Sequence, residues 1–597
     1  MGGYITSSKF CRLISGKTYI LVRLKALQYP YDAQCPNLSH TIGLKERPGY
    51  VKYGFTGDKH KDEEYLNETQ LKKKKIYDLD QNDRLFICLS ITTIPFSDGA
   101  KYLCELLEPL PKDEHEEWIE KVVEAVQKLP INSTMISRDA IHKAAQDVSA
   151  SENDDMENLL QIIDIFKVPK LMYHIERRKF MLAPTVARNL HGDAPDKATL
   201  FRDRYTMVYQ RTCNHELFRR PAVGANEDKR FGLMKVEFLL GSSSRQDDVV
   251  VLGLLTQLVE GQHHLEDDTG AVTLNLTNSK FHTGLFTQNC FVLVEGWYED
   301  GVLHANAVGL PPPETPNSTR ALLGNVNYFG GQGNVCAKNV LKLQQAEQEN
   351  QEAMFVVLSD LWLDKIKVME KLRTLFTGYA QFPPTAFIFC GNFLSACHGS
   401  QQATDVRQAL SALGDLIAEF PDLQTNSKFI FVPGPSDPGP SNIFPRPPLP
   451  SYVTDGIRRK VSNAEFVSNP CRLLYCTQEI VIFRENIVAK MCRNCVYFPN
   501  NSDDIPAHFA KTMVCQAHLS PLPLHVLPVY WGLDHCLALH PTPDLIITAD
   551  KGDAFTTVQN QCIVMNPGSF SKTDFSFKVY MPASRQVEDS QIGDEEM

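Results

Sequence analysis

The chain has 597 residues, 43% of them apolar and 22% charged, and a formal net charge of −11. That length exceeds what one hydrophobic core can organise and suggests about three or four domains. The acidity argues against a protein whose main business is gripping nucleic acid unaided. No apolar run approaches the roughly 20 residues of a membrane-spanning helix. The N-terminus scatters Lys9, Arg12 and Lys17 among polar residues and makes a poor signal peptide. The sixteen cysteines follow no framework of even spacing and read as reduced thiols of the cytosol or nucleus.

Residues 1–97 show no sustained periodicity. The segment reads as partly disordered or loosely docked, and its basic run at 72–75 as a solvated turn ahead of a nuclear-import signal. From 98 to 182 the pattern turns helical: Trp118, Ile119, Val122, Val123, Val126 and Leu129 recur at helical spacing. Ser137 is a candidate N-cap for a second helix carrying Ile141, Ala144, Ala145 and Val148. Residues 151–155 would cap a third, with Met156, Leu159, Leu160 and Ile163 inward and a stop near Pro169. The charged stretch 183–230 reads as a connection. Residues 231–313 then change to a β pattern, with strands predicted at 249–258, 272–276, 291–297 and 302–307, which suggests a small barrel or sandwich. A proline-rich linker and a helix near 340–350 fill 314–350. In 351–587, apolar strand cores at 354–358, 386–390, 429–432, 480–483 and 545–549 alternate with helices at 365–376 and 406–420, an α/β layered pattern. An acidic tail, 588–597, is expected to fray.

The chemistry of the last domain is notable for what it lacks. A two-metal phosphoesterase reads D-x-H, G-D, G-N-H-D, His and G-H-x-H, because two dications about 3.5–4 Å apart need carboxylate and imidazole ligands at strand ends. Here Asp360 stands at the first ligand position, but Trp362 replaces the histidine two residues on, and an indole N–H can only donate. Asn392, after Gly391, replaces the bridging carboxylate. Pro435, within Pro433-Gly-Pro-Ser-Asp437, stands where G-N-H-D belongs. His518 is a candidate for the next ligand, while Asp550 and Gly552 replace the two histidines of G-H-x-H. About two of seven ligands survive, so the expectation is no metal, no other cofactor and no catalytic residue. A one-metal site on Asp360, His518 and Asp550 is the sharper alternative.

Between 249 and 310 the only Lys or Arg is Lys280, against seven carboxylates. A barrel that binds single strands presents a basic groove with stacking aromatics, so protein docking is the better reading. Cys492-Arg-Asn-Cys495 is a lone pair without zinc-ribbon partners, and His263-His264 reads as surface.

The order of parts resembles the B-subunit family of eukaryotic replicative DNA polymerases. The segments 432–439, Pro445-Arg-Pro-Pro448, Asn469-Pro-Cys-Arg472, 475–480, 491–496 and Pro528-Val-Tyr-Trp531 fit its epsilon branch. The resemblance runs from about 101 to 587 and implies a multidomain α+β chain. Its parts would be an N-terminal helical bundle similar to the lid of AAA+ ATPases, an OB-fold barrel, and an inactivated calcineurin-like metallophosphoesterase domain built as a four-layer β-sandwich. It implies a nuclear, non-catalytic scaffold in DNA replication and repair. Its partners would be the zinc-binding C-terminal region of the epsilon catalytic subunit, small histone-fold subunits and, through GINS, the replicative helicase. DNA would be met only through the complex, and the residues of the partner contact stay unassigned. Residues 1–97 match nothing in that family and read as an unusual exon or a mispredicted start. The competing functional readings are a working metallophosphoesterase on nucleic-acid ends and a single-stranded DNA-binding protein.

Overall fold

The structure, a computed structural model, describes two compact units. In the first, Met1–Glu157, it describes residues 102, 106, 118, 122, 138 and 141–145. In the second, Asn158–Met597, it describes 159–184, 190–219, 231–324, 326–331, 337–440, 442–499 and 504–593. The readings of 1–97, of Ile119, Val123, Val126, Leu129, Ser137, Val148 and Met156, and of the last four residues of the acidic tail lie outside the described residues. All ten described residues of the first unit are helical. Trp118, Val122, Ile141, Ala144 and Ala145 are buried, and the Tyr102 hydroxyl meets His142 Nδ1 at 2.6 Å.

The second unit opens with a strand where a third helix was expected. Leu160–Ile163 pairs antiparallel with Cys471–Tyr475. Leu160 and Ile162 pack into one core and Ile163 into another. Four apolar residues in five positions satisfy either period, and a waiting sheet edge decided it. A hairpin follows, Leu171–His174 with Lys179–Leu182, so the helical reading of 98–182 fails in its last two dozen residues.

The stretch 190–219, read as a connection, contains the 21-residue helix Ala194–Asn214. Pro195 sits in its first turn, and Asp196 accepts a hydrogen bond from the Asp193 N–H at 2.9 Å. Its buried face carries Leu200, Arg204, Tyr205, Val208, Arg211 and Thr212 at helical spacing. Tyr205 and Val208 pack on Leu252, Leu254 and Phe291 of the barrel.

The barrel is a ring of five strands: Gln246–Val259, Gln262–Glu266, Ala271–Asn275, Val302–Gly309 and Phe291–Glu299. Phe291–Glu299 closes the ring on Gln246–Val259, and only the Ala271–Asn275/Val302–Gly309 pair is parallel. Alternation puts Val249, Val251, Leu265, Val272, Leu274, Val292, Val294 and Leu303 inside. Gly296 marks the tightest crossing, because a Cβ there would lie 2.0 Å from the His304 carbonyl oxygen. His264, read as surface, is buried on the strand Gln262–Glu266.

The last domain is four layers. One six-stranded sheet runs through Ala464–Phe466, Lys428–Val432, Ala386–Cys390, Phe355–Ser359, Ser576–Met581 and Gln586–Gln591. The other runs through Leu160–Ile163, Cys471–Tyr475, Gln478–Phe483, Leu545–Thr548, Cys562–Asn566 and Phe555–Gln559. Every position of the central strands is buried, and alternate residues serve different cores. Val356, Leu358, Phe387 and Phe389 meet the helices Ile366–Tyr379 and Gln402–Ala418, while Phe355, Val357 and Ile388 meet the second sheet. The second sheet's far face packs on the helix Ile505–Gln516. Part of the acidic tail is an edge strand, because Gln586–Gln591 pairs with Ser576–Met581.

Barrel and sandwich are joined by main-chain recognition. Gln516 accepts from the Phe291 N–H at 2.7 Å and donates to its carbonyl at 2.8 Å. His508 Nδ1 and Thr512 Oγ1 accept from the Gly284 and Leu285 N–H groups, and Cys495–Tyr497 pairs antiparallel with Phe286–Thr287. Among the described residues no cysteine is in a disulfide, and no helix is long and apolar enough to cross a membrane.

Candidate functional site

Three parallel strands, Phe355–Ser359, Ala386–Cys390 and Lys428–Val432, end side by side. The residues after them therefore converge: Asp360, Gly391-Asn392 and the loop 433–437. From the second sheet the parallel strands Gln478–Phe483 and Leu545–Thr548 deliver Arg484 and Asp550 to the same end. The carboxyl ends of parallel strands are where layered α/β domains place their ligands. A cleft of ≈ 150 Å³ opens there, lined among others by Asp360, Trp362, Asn392, Ser436, Arg484 and Lys551.

Its centre is an ion pair. Arg484 is fully buried, and its Nη2 donates to Asp360 Oδ1 at 2.7 Å. Its Nε donates to the Gly391 carbonyl, and its Nη1 to the Ala549 carbonyl at 2.7 Å and to Asn486 Oδ1 at 3.3 Å. One planar cation thus ties three strand ends across both sheets. Asp360 holds φ near 54°, a left-handed conformation that costs an aspartate little compared with a branched residue. Its N–H donates to the Cys390 carbonyl at 3.0 Å, and its Oδ1 also receives the Asn392 N–H at 3.3 Å.

The remaining sequence candidates divide. Asn392 turns its Oδ1 to the Ser436 N–H at 2.8 Å, beside half-buried Pro435. Asp550 spends one oxygen on the Val488 N–H at 3.0 Å and the other on the Gly552 N–H at 2.8 Å. Trp362 stands at the cleft wall under the Lys572 ammonium, 5.2 Å from its ring centre. His518 is a correction. It lies behind the second sheet, where its Nδ1 accepts from the Ser520 N–H at 3.0 Å and its Nε2 faces Asp534, 3.4 Å from Oδ1. Ala517 before it caps the helix Ile505–Gln516 in a left-handed conformation, which turns the ring into that core. The one-metal alternative on Asp360, His518 and Asp550 therefore loses its imidazole. The residue that sequence reasoning missed is Arg484, whose signal was a lone arginine directly after the all-apolar stretch Ile480-Val-Ile-Phe483.

The two-metal site that a phosphoesterase frame implies does not fit these residues. A guanidinium fills the space among Asp360, Gly391 and Ala549, and the carboxylate and amide oxygens that face it are already paired. Among the described residues no group of three or more His, Cys, Asp or Glu side chains is arranged to hold a metal ion.

Asp437, in the loop that follows the strand Lys428–Val432, is a buried carboxyl beside the site. Its Oδ1 and Oδ2 accept from the Phe393 and Gly434 N–H groups, at 2.9 and 2.8 Å. Gly391 packs against it so tightly that a Cβ would lie 1.9 Å from Oδ2. Burial outweighs those donors and the nearby Arg446 and Arg484, and pushes the carboxyl up to about 6. A carboxyl raised on folding stabilises fully below its unfolded value of about 3.9, and that contribution is lost as pH rises through the folded value. We therefore expect Asp437 to lower unfolding stability progressively between about pH 4 and pH 6. Urea midpoints of the wild type and Asp437→Asn across that window should diverge, and parallel profiles would refute it.

Three family models match the chain. Residues 355–557 match the B subunit of DNA polymerases alpha and epsilon, 194–312 the OB-fold domain of DNA polymerase epsilon subunit 2-like proteins, and 96–148 the N-terminal domain of DNA polymerases epsilon. DNA polymerase epsilon subunit 2 of Homo sapiens is 49% identical over 501 residues, covering 83% of this chain and 95% of that protein. The chain belongs to the DNA polymerase epsilon subunit 2 family. The relative of that name from Drosophila melanogaster is 40% identical over 504 residues, covering 84% and 95%. The B subunit of DNA polymerase epsilon from Saccharomyces cerevisiae is 27% identical, covering 73% and 76%. Asp360, Asn392, Arg484 and Asp550 all fall within the match at 355–557. The epsilon subunit 2 OB-fold match begins at residue 194, so it includes the helix Ala194–Asn214 along with the barrel. An archaeal phosphodiesterase aligns over 40% of this chain and 99% of its own at 12% identity, with a TM-score of 0.23, too low to carry any argument.

Proposed function

We propose that this chain is a non-catalytic accessory subunit of the DNA polymerase epsilon holoenzyme. In this reading the sandwich and barrel together hold the zinc-binding C-terminal region of the catalytic subunit. The N-terminal helical module, a lid-like bundle, reaches the replicative helicase through GINS. Small histone-fold subunits share the assembly, which acts in the nucleus in replication and repair, and DNA is met only through the complex. The observation that carries the non-catalytic part is Arg484 in contact with Asp360: a fixed guanidinium takes the place where a phosphoesterase would need a dication. Family membership supports the rest, together with a barrel almost devoid of cations.

The test is twofold. The full-length chain, co-expressed with the catalytic subunit's C-terminal region, should co-purify with it as a stable complex. The same preparation should show no manganese-dependent phosphodiesterase activity. Hydrolysis that disappears in Asp360→Ala would overturn the non-catalytic reading, and failure to co-purify would overturn the scaffold reading.

A further inference from the structure

The cleft at the strand ends has a charge that the scaffold role does not use. Its lining contains three cationic side chains, Arg484, Lys551 and Lys572, and one carboxylate, Asp360. Two positive charges are therefore left over, in a chain whose net charge is −11. The neighbouring carboxylates direct their oxygens at other partners. Asp550 and Asp437 are capped by main-chain N–H groups, and Glu485 pairs with Lys490 at 3.3 Å.

We propose that this cleft is a metal-free receptor for a dianionic phosphate group. A phosphoesterase frame normally holds phosphate with two bound dications, and here ammonium and guanidinium groups supply fixed positive charge at the same strand ends. The loops bearing the two lysines are anchored. The Lys551 N–H donates to Asn486 Oδ1 at 3.2 Å, and the Ser571 hydroxyl, next to Lys572, donates to the Asp360 carbonyl at 2.6 Å. Arg484, buried and held by Asp360, Gly391 and Ala549, is a rigid floor with little freedom left to lose when an anion arrives. The half-buried indole of Trp362 forms an aromatic wall beside this charge, which suits the base or sugar of a nucleotide. The phosphate could therefore come from inorganic phosphate or from a nucleoside 5′-monophosphate, and the chemistry recognised is the same.

Calorimetric titration of the full-length chain in excess EDTA tests this, with inorganic phosphate, deoxythymidine 5′-monophosphate and thymidine as ligands. Both phosphates should bind, with an affinity that falls as salt is raised, and thymidine should not. The double variant Lys551→Gln/Lys572→Gln, at two exposed positions, should bind at least about tenfold more weakly, while the exposed control Lys365→Gln should match wild type. Tighter binding of the nucleotide than of inorganic phosphate identifies a nucleotide end as the source, and equal affinities identify free phosphate. Binding that appears only when manganese is added overturns the proposal. So does affinity unchanged in the double variant, thymidine binding as well as its phosphate, or no binding at all.

Discussion

Replacing Arg484 with methionine is expected to destabilise the full-length chain by about 3–5 kcal/mol, the range for breaking one side of a buried ion pair. The loss has two parts. Asp360, almost fully buried, would keep a carboxylate with no cation beside it. The Gly391 and Ala549 carbonyls would also lose their donor, and each unsatisfied buried group costs roughly 1–3 kcal/mol. Since whole-protein stability is on the order of 5–15 kcal/mol, the variant would sit near its unfolding threshold at growth temperature. The double variant Asp360→Asn/Arg484→Met should recover a substantial part, because the stranded charge is then gone. Urea midpoints of the wild type and both variants decide it. A single-variant loss below about 1 kcal/mol would show that the pair carries little.

Asp534→Ala is expected to be nearly as damaging, through a different contact. Arg204, on the buried face of the helix Ala194–Asn214, grips Asp534 with two hydrogen bonds of 2.8 and 2.5 Å. Its Nη1 donates to the Ser520 carbonyl at 3.2 Å. Removing the carboxylate leaves a guanidinium in the core and should cost about 3–5 kcal/mol. The pair also makes a pH signature. Burial alone would raise the Asp534 carboxyl, but the Arg204 guanidinium and His518 outweigh it and hold it well below the usual range. A carboxyl lowered on folding stabilises fully above its unfolded value of about 3.9, and the contribution is lost as pH falls towards the folded value. Stability of the wild type should therefore fall steeply below about pH 4, and that limb should flatten in Asp534→Asn. An acid limb identical in both proteins would rule the pair out as its cause.

Most of the strand skeleton was legible because its period-2 and all-apolar runs are long: the central strands of the sandwich and four of the five barrel strands fall where the pattern put them. What escaped were elements whose burial depends on charge. The helix Ala194–Asn214 looked like a polar connection because two of its buried positions are Arg204 and Arg211, and a hydropathy pattern counts arginine as exposed. Only the partners explain them: Asp534 for the first, and for the second Glu314 together with the Val514 and Cys515 carbonyls. Carbonyls at the end of the helix Ile505–Gln516 are natural acceptors for such a cation. The site was half legible for a related reason. Losing metal ligands at Trp362, Asn392 and Gly552 can be read from one sequence against a known pattern, but gaining Arg484 cannot, since a residue that replaces a metal need not occupy a ligand's position. His518 misled because spacing along the chain says nothing about which side of a sheet a turn will face.

The strand Leu160–Ile163 has a practical consequence for anyone trimming this protein. It is the outermost strand of its sheet, so it plugs a row of main-chain groups on Cys471–Tyr475 that would otherwise stand open. A fragment started at Asp164 to drop the N-terminal module would uncover that row, beside the apolar side chains of Leu473 and Tyr475. An open row of that kind recruits strands from other chains. The first residues of the second unit act as a seal against self-association, and a usable boundary lies before Leu159, whose carbonyl already accepts the Cys476 N–H at 2.9 Å.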